Sequence, residues 1–327
     1  MNIGTISTSF ITDNFIEALK EEGSFTLTAV YSRTEEKAAN FAEKHGADHY
    51  FTDLEAMANS EIIDCVYIAS PNSMHFEQTL LFLKNKKHVI CEKPIFSNKA
   101  ELVKAYEVAE ANNVYLFEAM RNIVTPGFQL LKDNLHKCGD IRSIVLNYSK
   151  YSSRYTKVLD GEEPNIFSLN FSGGALVDLG VYPLSAATSL FGTPIDTAYY
   201  PTKISTGVDG SGTLILTYPT FICTILCSKI STSHNSSEIQ GEKGTFVVDD
   251  MGDFANITFK DNHTVDEATL INGYSHHDMI YEVKSFINII KEHNQKKYEG
   301  LKEISATVLE ITEKGRKENN IIYAVEK

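Results

Sequence analysis

The sequence has no apolar run approaching the ~18 residues of a membrane span. Nor does a basic segment precede an apolar stretch after Met1-Asn2-Ile3-Gly4, as a secretory signal would require. Both absences predict a cytoplasmic protein. Positive charge is scarce: 30 Lys and Arg against 43 Asp and Glu leave a formal net charge of -13, which repels nucleic-acid phosphates and acidic membrane surfaces. Neither is expected as a partner. The five cysteines, at 65, 91, 138, 223 and 227, are odd in number and scattered, a pattern of a reducing compartment rather than of a disulfide framework. Cys223 and Cys227 fall on one face of a β-like run, Phe221 to Ser228, yet no His or Cys cluster completes a ligand set, so ordinary burial and no metal are expected. Internal repeats, low-complexity tracts and Pro/Ser-rich linkers are missing as well.

What is there is ordinary globular sequence, 43% hydrophobic and 22% charged over 327 residues, long enough for two domains with cores of their own. Up to about residue 120, short apolar runs alternate with amphipathic stretches. Asn2 to Ile6, Thr26 to Tyr31, Asp64 to Ala69, His88 to Cys91 and Val114 to Phe117 read as strands; Asn14 to Glu22, Glu35 to Lys44, Met74 to Lys84 and Lys99 to Asn112 read as helices. Buried strands separated by helices imply an α/β, doubly wound parallel sheet over residues 1–120. The remainder, 121–327, is expected to be an α+β domain on a large, mostly antiparallel open sheet. Its strands are Ile141 to Tyr148, Ala198 to Ser205, Thr213 to Tyr218, Phe221 to Lys229, Thr245 to Asp249 and Ala255 to Phe259, with hairpin turns at Tyr218-Pro219-Thr220-Phe221 and Gly241-Glu242-Lys243-Gly244. Helices are expected at Phe128 to Leu135, Met279 to His293 and Lys302 to Glu313.

Ligands of doubly wound sheets bind outside the carboxyl ends of the strands. The first such turn, Gly4-Thr5-Ile6-Ser7-Thr8-Ser9-Phe10-Ile11, has one glycine of a dinucleotide fingerprint, with Ser7 and Ser9 as small residues where glycine is usual. A bland strand-to-helix turn is an equal alternative on these residues alone. After the second strand there is no Asp or Glu for a ribose 2′-hydroxyl; Ser32, Arg33 and Lys37 stand there instead, groups that suit the 2′-phosphate of NADP. The third turn offers Ser70, Asn72 and His75 for ribose or nicotinamide. The fourth ends a buried strand with Glu92-Lys93-Pro94, where a lysine is rarely placed for packing.

Four ordered segments together resemble the glucose-fructose oxidoreductase and inositol dehydrogenase superfamily (Gfo/Idh/MocA) along essentially the whole chain. They are Ile68 to His75, the Glu92-Lys93-Pro94 triplet, Gly173-Gly174-Ala175-Leu176-Val177-Asp178-Leu179-Gly180-Val181-Tyr182-Pro183, and Ile239 to Phe246. Tyr182, where the inositol dehydrogenases carry histidine, is similar to the dihydrodiol dehydrogenase branch, in which NADP is the common cofactor and NAD an option. The resemblance implies hydride transfer between nicotinamide and a sugar, polyol or diol, with Lys93 and Tyr182 as the catalytic pair and Asp178 orienting substrate or lysine. An ordinary tyrosine ionises near pH ~10, so an adjacent lysine ammonium would be needed to stabilise tyrosinate. Arg121 stands earlier than the branch's arginine and Ile123 occupies the usual position, which alters the substrate wall. Lys150, Arg154 and Lys157 are candidates for an acidic substrate, with a solvated loop the favoured reading. The resemblance also implies a homodimer or homotetramer through the open sheet face. Two rival functions share the fold: a dinucleotide-sensing regulator without chemistry, and a redox-neutral glycosidase or sugar-interconverting enzyme that keeps its cofactor bound.

Overall fold

The computed structural model of the protein describes residues 1–274 and 278–327, which form two compact units. The first carries six parallel strands: β1 (Asn2–Ile6), β2 (Thr26–Tyr31), β3 (His49–Phe51), β4 (Cys65–Ile68), β5 (His88–Glu92) and β6 (Leu116–Ala119). Their order across the sheet is β3-β2-β1-β4-β5-β6, a doubly wound arrangement that reverses direction between β1 and β4. All four residues of β4 are buried, as a central strand covered on both faces requires. Helices α1 (Phe10–Glu22), α2 (Glu35–His45), α3 (Leu54–Asn59), α4 (His75–Lys84) and α5 (Lys99–Ala111) fill the crossovers. α1 buries Phe15, Ile16, Ala18 and Leu19 on one stripe and stops at Gly23, whose φ of 80° closes the last turn. β3 escaped sequence reading because it is three largely exposed residues at the sheet edge.

Gly4 lies inside β1, and its missing side chain makes room for the core. A Cβ there would stand 2.3 Å from the Met57 methyl.

The expected boundary near residue 120 holds only for the outgoing chain. α9 (Met279–Glu292) and the start of α10 (Gln295–Glu318), as far as Glu303, belong to the first unit instead of the second. α9 packs on α1, Phe286 stacks on Phe117 with ring centroids 4.6 Å apart, and the Tyr298 hydroxyl accepts the Leu116 amide at 3.3 Å. An apolar stripe shows that a helix must be covered, not which sheet covers it.

The second unit is built on eight strands: β7 (Ile141–Ser149), β8 (Asp196–Lys203), β9 (Asp209–Thr217), β10 (Ile222–Ser228), β11 (Ser237–Gly241), β12 (Gly244–Val248), β13 (Asn256–Asp261) and β14 (Glu267–Asn272). Their order is β14-β13-β12-β11-β7-β10-β9-β8. Every pairing is antiparallel except β7 with β10, which run parallel in register from Ser143 opposite Ile222 to Ser149 opposite Ser228. Both expected hairpins form, the first closed by the Tyr218 amide on the Phe221 carbonyl at 3.0 Å. Cys223 and Cys227 point into the core with Ile225, and all five cysteines are buried thiols. β14 is mostly exposed, and of its residues Leu270 and Ile271 are only partly buried against the core, which leaves a weak signal in the sequence.

Helices α6 (Pro126–Asn134), α7 (Tyr155–Leu159) and α8 (Val181–Phe191) and the part of α10 from Ile304 complete this unit, with Phe128, Leu131, Leu184, Ala187, Val308 and Ile311 joining the buried sheet residues in one core. The stretch Leu169–Phe191 is long and apolar enough to pass for a membrane span, contrary to the expectation from sequence, but 72% of its apolar window is buried inside the protein, as for a core helix.

The chain's end is fastened by a buried cation. Arg316 is 1% exposed, its guanidinium lies 3.7 Å over the Tyr323 ring and 3.1 Å from Glu326, and it also donates to the Ile321 carbonyl. Burial raises the Glu326 pKa, but the Arg316 hydrogen bond and charge, with the Tyr323 amide and Lys317, outweigh it and hold the carboxyl below its ordinary value. Glu326→Ala should cost about 3 kcal/mol, since removing one partner strands a buried charge; urea unfolding measures it. Because the folded pKa is depressed, this contribution is complete above the unfolded value of 4.5 and fades as pH falls through the folded one.

Candidate active site

The residues singled out in the first unit gather at the carboxyl ends of β1, β2, β4 and β5. Ser7 leaves β1 with a φ of 104°, the positive range that favours glycine. Its hydroxyl accepts the Ser9 amide at 3.2 Å. Ser9 then opens α1 with no side-chain cap, so the first-turn amides beginning at Phe10 and Ile11 have no side chain to satisfy them. Phe10 itself is exposed. An uncapped N-terminus of a 13-residue helix behind a tight turn suits a pyrophosphate, and the residues present fit a dinucleotide.

At the end of β2 the Ser32 amide donates to the Phe51 carbonyl at 3.2 Å, which fixes the backbone between β2 and β3. Arg33 and Lys37 are exposed. Among the described residues neither side chain is engaged by a hydrogen bond or ion pair, and the first acid after β2 is Glu35, in the first turn of α2.

After β4, Ser70 donates to Gln78 Oε1 at 2.7 Å, and Asn72 starts a single 3₁₀ turn. His75 is fully buried, with Nδ1 3.0 Å from the Pro94 carbonyl and Nε2 2.9 Å from the Ser70 carbonyl. Burial lowers its pKa against these carbonyls, and a neutral ring has one N–H to donate. Both nitrogens face protein backbone, so His75 ties two turns together instead of offering its ring to a cofactor. Glu92 is likewise spoken for: Oε1 accepts the Tyr67 hydroxyl at 2.6 Å and Oε2 the Lys93 amide at 3.1 Å. It shapes the turn that carries Lys93. The Lys93–Pro94 peptide is cis, and the next amide, of Ile95, is held by Glu118 at 3.0 Å.

In the second unit, Asp178 lies in the π-helical turn Leu176–Gly180 that runs directly into α8, whose second residue is Tyr182. Both sequence-predicted groups thus ride on one continuous turn. Asp178 accepts a hydrogen bond from the Lys229 ammonium. The Tyr182 ring meets Tyr148 edge-on, with centroids 5.2 Å apart, and the Arg121 guanidinium is 5.8 Å from its centroid. Arg121 therefore stands beside the tyrosine despite its displaced position in the sequence. Asn122 anchors the start of α8 by donating to the carbonyls of Tyr182 and Met251, each at 2.9 Å.

Sequence reading missed the groups behind this turn. Asp209, fully buried at the start of β9, accepts the Leu176 amide and the Tyr199 hydroxyl, both at 2.6 Å. Gly174 must lack a side chain there: its φ is 137°, and a Cβ would sit 2.2 Å from Asp209 Oδ1. The Tyr323 hydroxyl donates to the Gly173 carbonyl at 3.1 Å. No local pattern marks these partners, because they come from distant segments.

Lys150 is not available for an acidic ligand. Its ammonium donates to Asp250 at 2.8 Å and lies 4.7 Å over the Tyr148 ring. Burial lowers its pKa, but Tyr148 and Asp250 outweigh that and hold it high. Lys157 is 3.5 Å from Glu162, and both are exposed.

Residues 1–120 match a family described as "Oxidoreductase family, NAD-binding Rossmann fold", and residues 134–247 match the GFO/IDH/MocA C-terminal domain. The chain is 42% identical over 320 residues to the scyllo-inositol 2-dehydrogenase (NADP(+)) IolU of Bacillus subtilis, covering 97% of each. It is 41% identical over 293 residues to the uncharacterized oxidoreductase YgjR of Escherichia coli, covering 90% of this chain and 89% of that one. The 3-ketoreductase KijD10 of Actinomadura kijaniata, solved with NADP and TDP-benzene, shares the fold at a TM-score of 0.82 and 20% identity, with 94% of this chain and 95% of that chain covered. Two domain matches in order and a relative aligned along nearly its whole length leave one conclusion: the chain belongs to the Gfo/Idh/MocA family of nicotinamide-dependent oxidoreductases.

Proposed function

We propose that the protein is an NADP(H)-dependent dehydrogenase or reductase of a neutral sugar, polyol or diol. Lys93 and Tyr182 are its catalytic pair, and Asp178 and Arg121 contact the substrate. The observation that carries this reading is the single turn of the second unit that holds both Asp178 and Tyr182, with Arg121 beside the tyrosine ring. The dinucleotide would be held by the Ser7–Ile11 turn, by Ser32, Arg33 and Lys37 at its 2′-phosphate, and by Ser70 and Asn72 further along the same sheet edge. When bound, it supplies the hydride acceptor or donor. The phenolic oxygen of Tyr182 takes the substrate's hydroxyl proton, or returns it in reduction. Lys93, the other member of the proposed pair, polarises the substrate oxygen. Asp178, as an anionic acceptor, orients a further hydroxyl.

A neutral substrate is favoured because Lys150 and Lys157 are already matched with Asp250 and Glu162. The name of the Bacillus relative puts inositols on the panel to be tried, and NADP ahead of NAD. Absorbance at 340 nm with NADP and then NAD, against aldoses, polyols, inositols and vicinal diols, tests the proposal. Turnover with one of these classes is the expected result. Silence across the panel from protein that binds NADPH would favour a dinucleotide sensor, and cofactor released only on denaturation would favour redox-neutral chemistry.

A homodimer or homotetramer through the helix-free face of the second sheet is part of the same proposal. Half-buried Val145, Ile215, Leu226 and Val247 line that face. Light scattering should give a multiple of 36.5 kDa, and a monomer mass would end the idea.

A further inference from the structure

Lys229 is the first residue after β10, and its side chain is 5% exposed. The strand ladder sets its backbone: its amide donates to the Gly210 carbonyl at 2.8 Å, and its carbonyl accepts the Ser152 amide at 2.9 Å. Its ammonium lies 5.5 Å from the Phe167 ring centroid and donates to Asp178 Oδ2. A buried ammonium is costly without a partner, so packing alone gives no reason for a lysine here. Asp178, by contrast, is 25% exposed. The cation therefore lies behind and the carboxylate in front, on the turn that also carries Tyr182.

We infer that Lys229 is a positioning residue that locks the Asp178 carboxylate, ionised and in one orientation, to accept a second hydroxyl of the substrate while Tyr182 handles the reacting one. The site thereby prefers substrates with at least two hydroxyls over simple alcohols. The inference rests on the function proposed above and deepens it. A carboxylate held by a charge at its back needs no rearrangement when the hydroxyl arrives, and the gain is in binding rather than in the chemical step.

The test is Lys229→Met in the full chain, with kcat and KM for the best polyol, the same constants for its analogue lacking one non-reacting hydroxyl, and the NADPH dissociation constant. KM for the polyol should rise about tenfold or more, with kcat within about threefold and NADPH binding unchanged. The analogue's KM should hardly move. Lys229→Arg, which keeps the charge, should recover part of the loss. In an Asp178→Asn background, Lys229→Met should add little, because both changes remove one interaction.

An unchanged polyol KM overturns the inference. So does an equal loss for the analogue, or a full additional loss on top of Asp178→Asn. If methionine leaves no folded protein, Lys229→Gln is read the same way. Failure of the proposed reaction is a separate result: wild-type protein that oxidises no polyol sinks that reading alone. The pair is then read by calorimetry of polyol binding to NADPH-loaded protein, where weakening by Lys229→Met supports it and undiminished binding overturns it.

Discussion

Lys93→Met should lower turnover by about two to four orders of magnitude, the range for loss of a group that stabilises developing charge during proton transfer. Folding and NADPH affinity should change little. The turn around Lys93 is held by Tyr67 on Glu92, by His75 at the Pro94 carbonyl and by Glu118 on the Ile95 amide, and none of these bonds uses the lysine side chain. Methionine has nearly the same length and no charge, so the turn should survive. The measurement is kcat at 340 nm beside a thermal melt and an NADPH titration. Wild-type turnover from the variant would remove Lys93 from the mechanism. A collapse of NADPH binding would make it a cofactor ligand instead.

Arg33→Ala carries the second large effect, on the choice between dinucleotides. NADPH should bind about 10- to 100-fold more weakly, the worth of one or two charge-assisted hydrogen bonds to phosphate, while NADH should shift by less than about twofold. The physical basis is an exposed guanidinium at the end of β2, where neither a carboxylate nor another partner of the described residues occupies it. Fluorescence titration of both nucleotides measures the ratio. Equal losses for the two would detach Arg33 from the 2′-phosphate and return it to an ordinary helix-opening residue.

Much of the first unit was legible because its strands are short, apolar and separated by helices of regular period. β1 and β2 fall on the residues where alternation predicted them. The short edge strand β3 and the mostly exposed edge strand β14 were not, since an edge strand can be held by backbone pairing with little apolar signal. The candidate site divides in the same way. Asp178 and Tyr182 were singled out because they share one motif, and Arg33 through the absence of an acid in its place. For His75 and Gly4 the sequence shows that a residue is unusual in its position without showing what faces it. One proves to bridge two backbone carbonyls and the other to admit Met57.

The sequence by itself determined the two sheet types, the uncapped strand-to-helix turn after β1, the lysine at the end of β5 and the Asp178 to Tyr182 spacing, all of which rest on local periodicity and short motifs. Tertiary structure decided the rest. It put α9 on the first unit, closed the chain's end with Arg316 and Glu326, and set Asp209 and Lys229 behind the turn that presents Asp178. Each of these joins residues from separate stretches of chain. Local propensity reaches only a few positions along the backbone, whereas a buried charge takes whatever partner the packed fold brings to it.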